Sequence, residues 1–129
     1  MTLQNLKVLQ VNLNRNSSAT ESALQLAIEL DIQLILIQEP WIIYNEDNNL
    51  YRSVNHPGFI QILPPNPQYR PRTLAYITKS IISQVSLAPE SPSDPDLLIL
   101  NIKNINSNIQ IINIYNKKDQ GNLDKYTLT

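Results

Sequence analysis

The sequence predicts an α/β fold, with one parallel strand–helix–strand unit followed by a run of antiparallel strands. Three observations carry this. Leu6–Leu13 is a strand-like segment rich in Leu and Val. Ala23, Leu24, Ala27 and Ile28 recur at helical spacing. Leu34–Ile37 is an unbroken apolar run, as expected of a strand covered on both faces.

The elements follow in order. After the first strand, Asn14–Ser18 is a polar turn, and Ser18 with Glu21 has the spacing of a capping box that would start the helix. The helix is expected to run to about Leu30, with Asp31 opening the exit turn. The strands at either end of such a unit should be parallel, with a right-handed crossover. Beyond Pro40 the pattern changes. Tyr44–Gly58 reads as loop, Phe59–Leu63 as a short strand, Thr73–Thr78 and Ile81–Leu87 as two more. Pro89–Pro95 is a connection that cannot be helix interior. Leu97–Ile102 and Ile109–Tyr115 read as a hairpin around Asn104–Asn108. One helix leaves an apolar sheet face to be covered by something else.

The 129 residues suffice for one domain with a real core. Hydrophobic residues make up 42% and charged residues 16%, the balance of a folded domain rather than a disordered chain. A net charge of −1 provides no overall basic field for nucleic acid or anionic membrane. It does not exclude an enzyme that reaches phosphates through a local site and a divalent cation. With no cysteine, disulfides, thiolate catalysis and cysteine-based zinc sites are excluded, and a single histidine, His56, excludes a multi-histidine metal site. Two glycines, Gly58 and Gly121, are too few for a P-loop or a dinucleotide fingerprint. No serine has a histidine in a recognisable order to serve it. Met1 is not followed by an apolar leader core, and no run of about 18 apolar residues is present, so an intracellular chain is expected.

Chemistry in open sheets with parallel strands collects beyond the carboxyl ends of the strands. Asn12 and Asn14 stand there on the first strand, Gln38 and Glu39 on the second. A carboxylate at that rim can hold a hard cation through oxygen. By position alone, Glu39 reads as a strand-end residue beginning a turn, and Asn12 and Asn14 as turn residues. Tyr69, Arg70 and Arg72 read as a solvated loop rim, with a DNA-facing patch as the alternative. Trp41 reads equally as a core-rim aromatic or a cover over the site.

Four segments, in order, change the weight of these readings. Leu6–Arg15 (LKVLQVNLNR), Leu34–Trp41 (LILIQEPW), Arg72–Ile77 (RTLAYI) and Ile111–Asn116 (IINIYN) together resemble the opening of the endonuclease/exonuclease/phosphatase superfamily. The Asn-Leu-Asn-Arg and Gln-Glu-Pro-Trp versions are most similar to the endonuclease domains of fungal non-LTR retrotransposons. The resemblance implies a four-layer α/β/β/α sandwich of the deoxyribonuclease I type. It matches Asn12 to a residue of the catalytic cluster, Glu39 to the metal-binding carboxylate, and Tyr115 to a tyrosine that contacts the scissile phosphate. Asn14 falls where relatives carry an Asp near the metal, which makes it a second candidate ligand. The implied cofactor is Mg²⁺ or Mn²⁺, and the implied reaction is phosphodiester hydrolysis of DNA. The implied partner is a reverse transcriptase domain in a parent polyprotein, and the implied place of action is the nucleus.

The sequence departs from that family in one respect. The family continues beyond the position of Tyr115 with an Asp-x-Asn motif and a final Asp-His pair, and neither follows Tyr115 here; His56 lies mid-chain before a Pro-Gly turn, and Asp119 and Asp124 lack the pattern. Residues 1–129 are therefore expected to be a partial domain, truncated after its first half and nearly inactive alone. Two rivals remain. One is a phosphodiesterase of the same superfamily acting on a lipid or nucleotide. The other is a non-catalytic remnant or interaction module, which would bind no Mg²⁺ at Glu39 and expose apolar surface.

Overall fold

The structure, a computed structural model, describes residues 5–65, 69–104 and 107–116. Its elements are β1 (Val8–Asn12), α1 (Ser17–Glu29), β2 (Leu34–Gln38), β3 (Ile43–Asn45), β4 (Leu50–Arg52), β5 (Phe59–Ile62), β6 (Thr73–Thr78), a 3₁₀ segment (Lys79–Gln84), β7 (Val85–Leu87), β8 (Leu97–Asn104) and β9 (Ser107–Ile114). A first sheet has the order β1-β2-β6-β5, in which β1 and β2 are parallel and the other pairings antiparallel. A second sheet, β7-β8-β9, is wholly antiparallel.

The strand–helix–strand unit forms as the periodicity predicts, but its cap differs. Asn16, not Ser18, caps α1: its side-chain oxygen accepts from the Ala19 amide at 3.0 Å, and Ser18 already lies inside the first turn. The helix ends in a Schellman motif. Asp31 adopts φ 55°, its amide reaches the Ile28 carbonyl at 3.3 Å, and the Ile32 amide reaches Ala27 at 2.8 Å. All five residues of β2 are buried, because α1 covers one face of the first sheet and the second sheet covers the other.

Two cores result. On the helix side, Ala23, Leu24 and Ala27 pack with Leu13, Ile35, Ile37, Phe59, Leu74 and Tyr76. On the other side, Leu34, Leu36, Ala75 and Ile77 meet Ile81, Val85, Leu98, Leu100 and Ile102. The two-residue period of a strand sends alternate side chains of β2 and β6 into different cores. Three layers are thus described: helix, sheet, sheet. The apolar face that one helix leaves over lies on the outside of the second sheet. There Leu97 pairs with Ile114 and Ile99 with Ile112, the last 43% exposed.

Two further expectations are corrected. The stretch 44–58 is not all loop: β3 and β4 form a small antiparallel hairpin, with Tyr44 beside Tyr51 and the Tyr44 hydroxyl donating to Asn49. Ile81–Leu87 is not one strand, since 3₁₀ turns occupy 79–84 and only Val85–Leu87 pairs with β8. Ile81 is buried there as an apolar plug between the sheets, a role that its apolar neighbours disguise as strand alternation.

Candidate active site

The carboxyl ends of β1 and β2 leave the sheet together. The Leu13 amide donates to the Gln38 carbonyl at 3.0 Å, and the Arg15 amide donates to the Glu39 carbonyl at 2.8 Å. Asn14, Arg15 and Glu39 all take left-handed backbone conformations, with φ of 53°, 57° and 52°. Asn14 tolerates this region, but for Arg15 and Glu39 it costs on the order of 1–2 kcal/mol each, and at Glu39 the following Pro40 restricts the backbone further. Such strain persists only where neighbouring structure enforces it, and it concentrates at functional sites. Here the enforcing bonds are those to Arg15 and from the Glu39 amide to the Arg72 carbonyl, at 3.0 Å. The strain has a measurable consequence. Glu39→Gly should be more stable than Glu39→Ala by about 1 kcal/mol in urea unfolding, because both lose the carboxylate and only glycine relieves the backbone. Equal stability of the two variants would show that the turn is not strained.

The bend carries the Glu39 side chain to the end of the second sheet, where Tyr115 follows β9. The Tyr115 hydroxyl donates to Glu39 Oε1 at 2.8 Å, while Oε2 accepts no hydrogen bond among the described residues. Tyr115 is itself placed by a backbone bond, its amide donating to the Asp96 carbonyl at 2.9 Å. The Arg72 guanidinium, ion-paired to Asp96, lies 5.9 Å from the centre of the Tyr115 ring.

Behind this pair sits a buried amide link between the sheets. Gln38 donates through Nε2 to Asn113 Oδ1, and Asn113 Nδ2 donates to the carbonyls of Ile37 and Leu74, both at 3.1 Å. Asn113 is 2% and Gln38 8% exposed. Gln38 immediately precedes Glu39, and Asn113 lies two residues before Tyr115. The link therefore sets how the two ends of the site meet.

The proton on Tyr115 is held firmly. The hydrogen bond to Glu39 first, then burial, raise its pKa above the ordinary tyrosine range, against the opposing pull of Arg15 and Arg72. A group whose pKa is raised on folding contributes stability below its unfolded value, about 10 for tyrosine. That contribution is lost as pH rises through the higher folded value. Tyr115→Phe should thus be less stable than wild type at neutral pH, with the gap closing above about pH 10. Urea midpoints of the two proteins between neutral and alkaline pH check this; a gap independent of pH would contradict it.

The structure brings Glu39 and Tyr115 together. It does not bring Asn12 or Asn14 into hydrogen-bond contact with them. Asn12 stands at the register position beside Gln38, and its Oδ1 accepts from the Asn14 amide at 2.9 Å, the turn chemistry of an Asx motif. The side chain of Asn14 is exposed. Asp119 and Asp124 lie outside the described residues. Among the described residues no three His, Cys, Asp or Glu side chains cluster as a metal site. A single carboxylate with a free oxygen nonetheless suits Mg²⁺, which keeps several waters and is commonly held by one or two carboxylates together with substrate phosphates. Sequence places Gln38 at the strand-end rim but gives it no role, and it does not single out Asn113 or Asp96 at all. The one signal was Asn113, a polar residue on the inward period of an Ile-rich strand.

Comparison with family profiles gives no match, and neither does comparison with curated proteins. Comparison with solved structures gives the endonuclease domain of TRAS1, a telomere-specific non-LTR retrotransposon, at a TM-score of 0.68 and 17% identity. The chain shares its fold with that domain. The superposition covers 94% of this chain and 49% of the TRAS1 domain, so the chain spans about half the length of the structure it matches. Among the described residues no helix is long and apolar enough to cross a membrane.

Proposed function

We propose that this chain carries the metal-binding and phosphate-binding half of a DNA phosphodiesterase site, as in a retrotransposon endonuclease. The observation that carries this reading is the Glu39–Tyr115 pair, set at the strand ends of a fold shared with an endonuclease domain. Glu39 would hold Mg²⁺ or Mn²⁺ through its free oxygen, with Asn14 as a candidate second ligand. Such an ion polarises phosphoryl oxygens and withdraws their developing charge. Tyr115, anchored by its donation to the other oxygen, Oε1, would present its hydroxyl beside that ion, where a phosphate oxygen can compete for the proton. Asn12 can donate through Nδ2 at the same rim, since only its Oδ1 is committed. Donors fixed ahead of the reaction need no reorganisation as charge develops. The sandwich is completed as four layers in this reading, by a helix over the apolar outer face of the second sheet. A reverse transcriptase domain in the same polyprotein and action in the nucleus belong to the same reading.

Neither the Asp-x-Asn motif nor the Asp-His pair expected of the family follows Tyr115 in these 129 residues, so the chain by itself should not cleave DNA. Supercoiled plasmid incubated in Mg²⁺ with wild type and with Glu39→Ala should show no nicking above the metal-free control. Mn²⁺ titrated into the chain should bind at one site, lost in Glu39→Gln. If Mn²⁺ fails to bind, or binds equally to Glu39→Gln, the reading as a nuclease half-site is wrong. If wild type nicks and Glu39→Ala does not, the chain is a minimal nuclease and its predicted inactivity is wrong.

A further inference from the structure

Next to the Glu39–Tyr115 pair lies a cleft of about 350 Å³, lined by Arg15, Pro40, Tyr69, Arg70, Pro71 and Arg72. No Asp or Glu lines it, although the chain as a whole carries a net charge of −1. The three guanidinium groups come from two turns far apart in sequence. Their states differ. Arg72 is paired with Asp96. Arg70 is held by the Ile42 carbonyl, which fixes the guanidinium without neutralising it. Arg15 has no acidic partner among the described residues. Among the described residues neither Arg15 nor Arg70 has an acidic partner, so two cations without counter-charge line one small space beside Tyr69, which is 66% exposed. The two prolines give that space stiff, apolar walls.

Guanidinium groups match the oxygens of a phosphodiester in charge and geometry. An exposed aromatic ring stacks a nucleobase without regard to its identity. We propose that the cleft is a second nucleotide subsite for a DNA strand. Arg15 and Arg70 hold the phosphodiester next to the one at Glu39, and Tyr69 stacks the attached base. The subsite rests on the phosphodiesterase reading of Glu39 for its purpose, but its binding chemistry needs no metal. The contact joins it to the catalytic rim: the Arg15 amide is the donor to the Glu39 carbonyl, so an occupied subsite and a positioned Glu39 share one turn.

The test is binding of a fluorescein-labelled single-stranded 12-mer to the 129-residue chain, in EDTA, over a salt series. Each phosphate contact contributes about 0.7 to the slope of log affinity against log salt for single strands. Arg15→Gln and Arg70→Gln should each lower the slope by about that amount, whereas Arg52→Gln, an exposed arginine on β4, should not. Wild type should prefer the intact strand over an abasic one, and Tyr69→Ala should lose that preference. The subsite is overturned if wild type does not bind the 12-mer, if both cleft variants keep the wild-type slope, or if Arg52→Gln lowers it equally. Tighter binding of RNA of the same sequence would overturn the assignment to DNA. Mn²⁺ binding at Glu39, measured separately, tells the two failures apart. Metal binding with unchanged slopes rejects the subsite alone, and reduced slopes without metal binding support the subsite while rejecting the reading of Glu39.

Discussion

Asn113→Leu should destabilise the chain by about 3 kcal/mol, the largest effect expected of any single polar replacement near the site. Leucine is nearly isosteric and apolar, so the loss does not come from a cavity. It comes from the three hydrogen bonds that Asn113 makes to Gln38, Ile37 and Leu74. Removing one partner of a buried pair leaves the other without compensation, which costs about 1–3 kcal/mol for each orphaned group. Gln38 cannot turn to solvent, because it is only 8% exposed between the sheets. The double variant Gln38→Leu/Asn113→Leu should recover part of the loss, since apolar partners replace both polar ones. Urea unfolding of the single and double variants measures this. A double variant as unstable as the sum of the singles would show that the two amides do not act as a pair.

Asp96→Ala should lower stability by about 2 kcal/mol, the scale of a hydrogen bond to a charged group. Asp96 is 6% exposed and pairs with Arg72, whose guanidinium it holds in its charged form. Three backbone bonds converge here. The Arg72 amide meets the Pro95 carbonyl, the Tyr115 amide meets the Asp96 carbonyl, and the Glu39 amide meets the Arg72 carbonyl. Without the carboxylate the guanidinium is left partly buried beside the Tyr115 ring. Asp96→Ala should therefore weaken Mn²⁺ binding at Glu39 as well as stability, whereas a core truncation such as Leu24→Ala should reduce stability alone. Unchanged metal affinity in Asp96→Ala would separate the ion pair from the site.

What the sequence revealed and what it hid follow different physics. Strand β6 has the bounds that its composition predicts, β2 and β8 extend the predicted segments by one and two residues, and β9 starts two residues earlier and ends before Tyr115, because an apolar run or an alternating face is a local pattern. The helix was equally plain, but its cap lies two residues before the predicted one: Asn16 rather than Ser18 caps it, because the Asn16 oxygen reaches the Ala19 amide. The hairpin β3–β4 was hidden by polar residues whose pairing depends on turn geometry rather than hydrophobicity. At the site, position alone places Glu39 at the strand-end rim, but a role for it and for Tyr115 comes only through a resemblance, since the two are 76 positions apart in sequence. The link between Gln38 and Asn113 stayed hidden because a buried amide pair is visible only once both strands face each other. Tyr69, Arg70 and Arg72 read in sequence as a solvated rim, with a DNA-facing patch as the alternative; that Arg15 joins them in one cleft stayed hidden because it comes from a distant turn.

The most direct measurement is Mn²⁺ titrated into the ¹⁵N-labelled chain, with paramagnetic broadening read amide by amide. A cation held by Glu39 beside Tyr115 should broaden the amides of Asn14, Arg15, Glu39 and Tyr115 first, and Glu39→Gln should abolish the effect. Broadening centred on another carboxylate, such as Asp47 at the β3–β4 turn, or spread evenly over the acidic residues, would contradict a metal site at the junction of the two sheets.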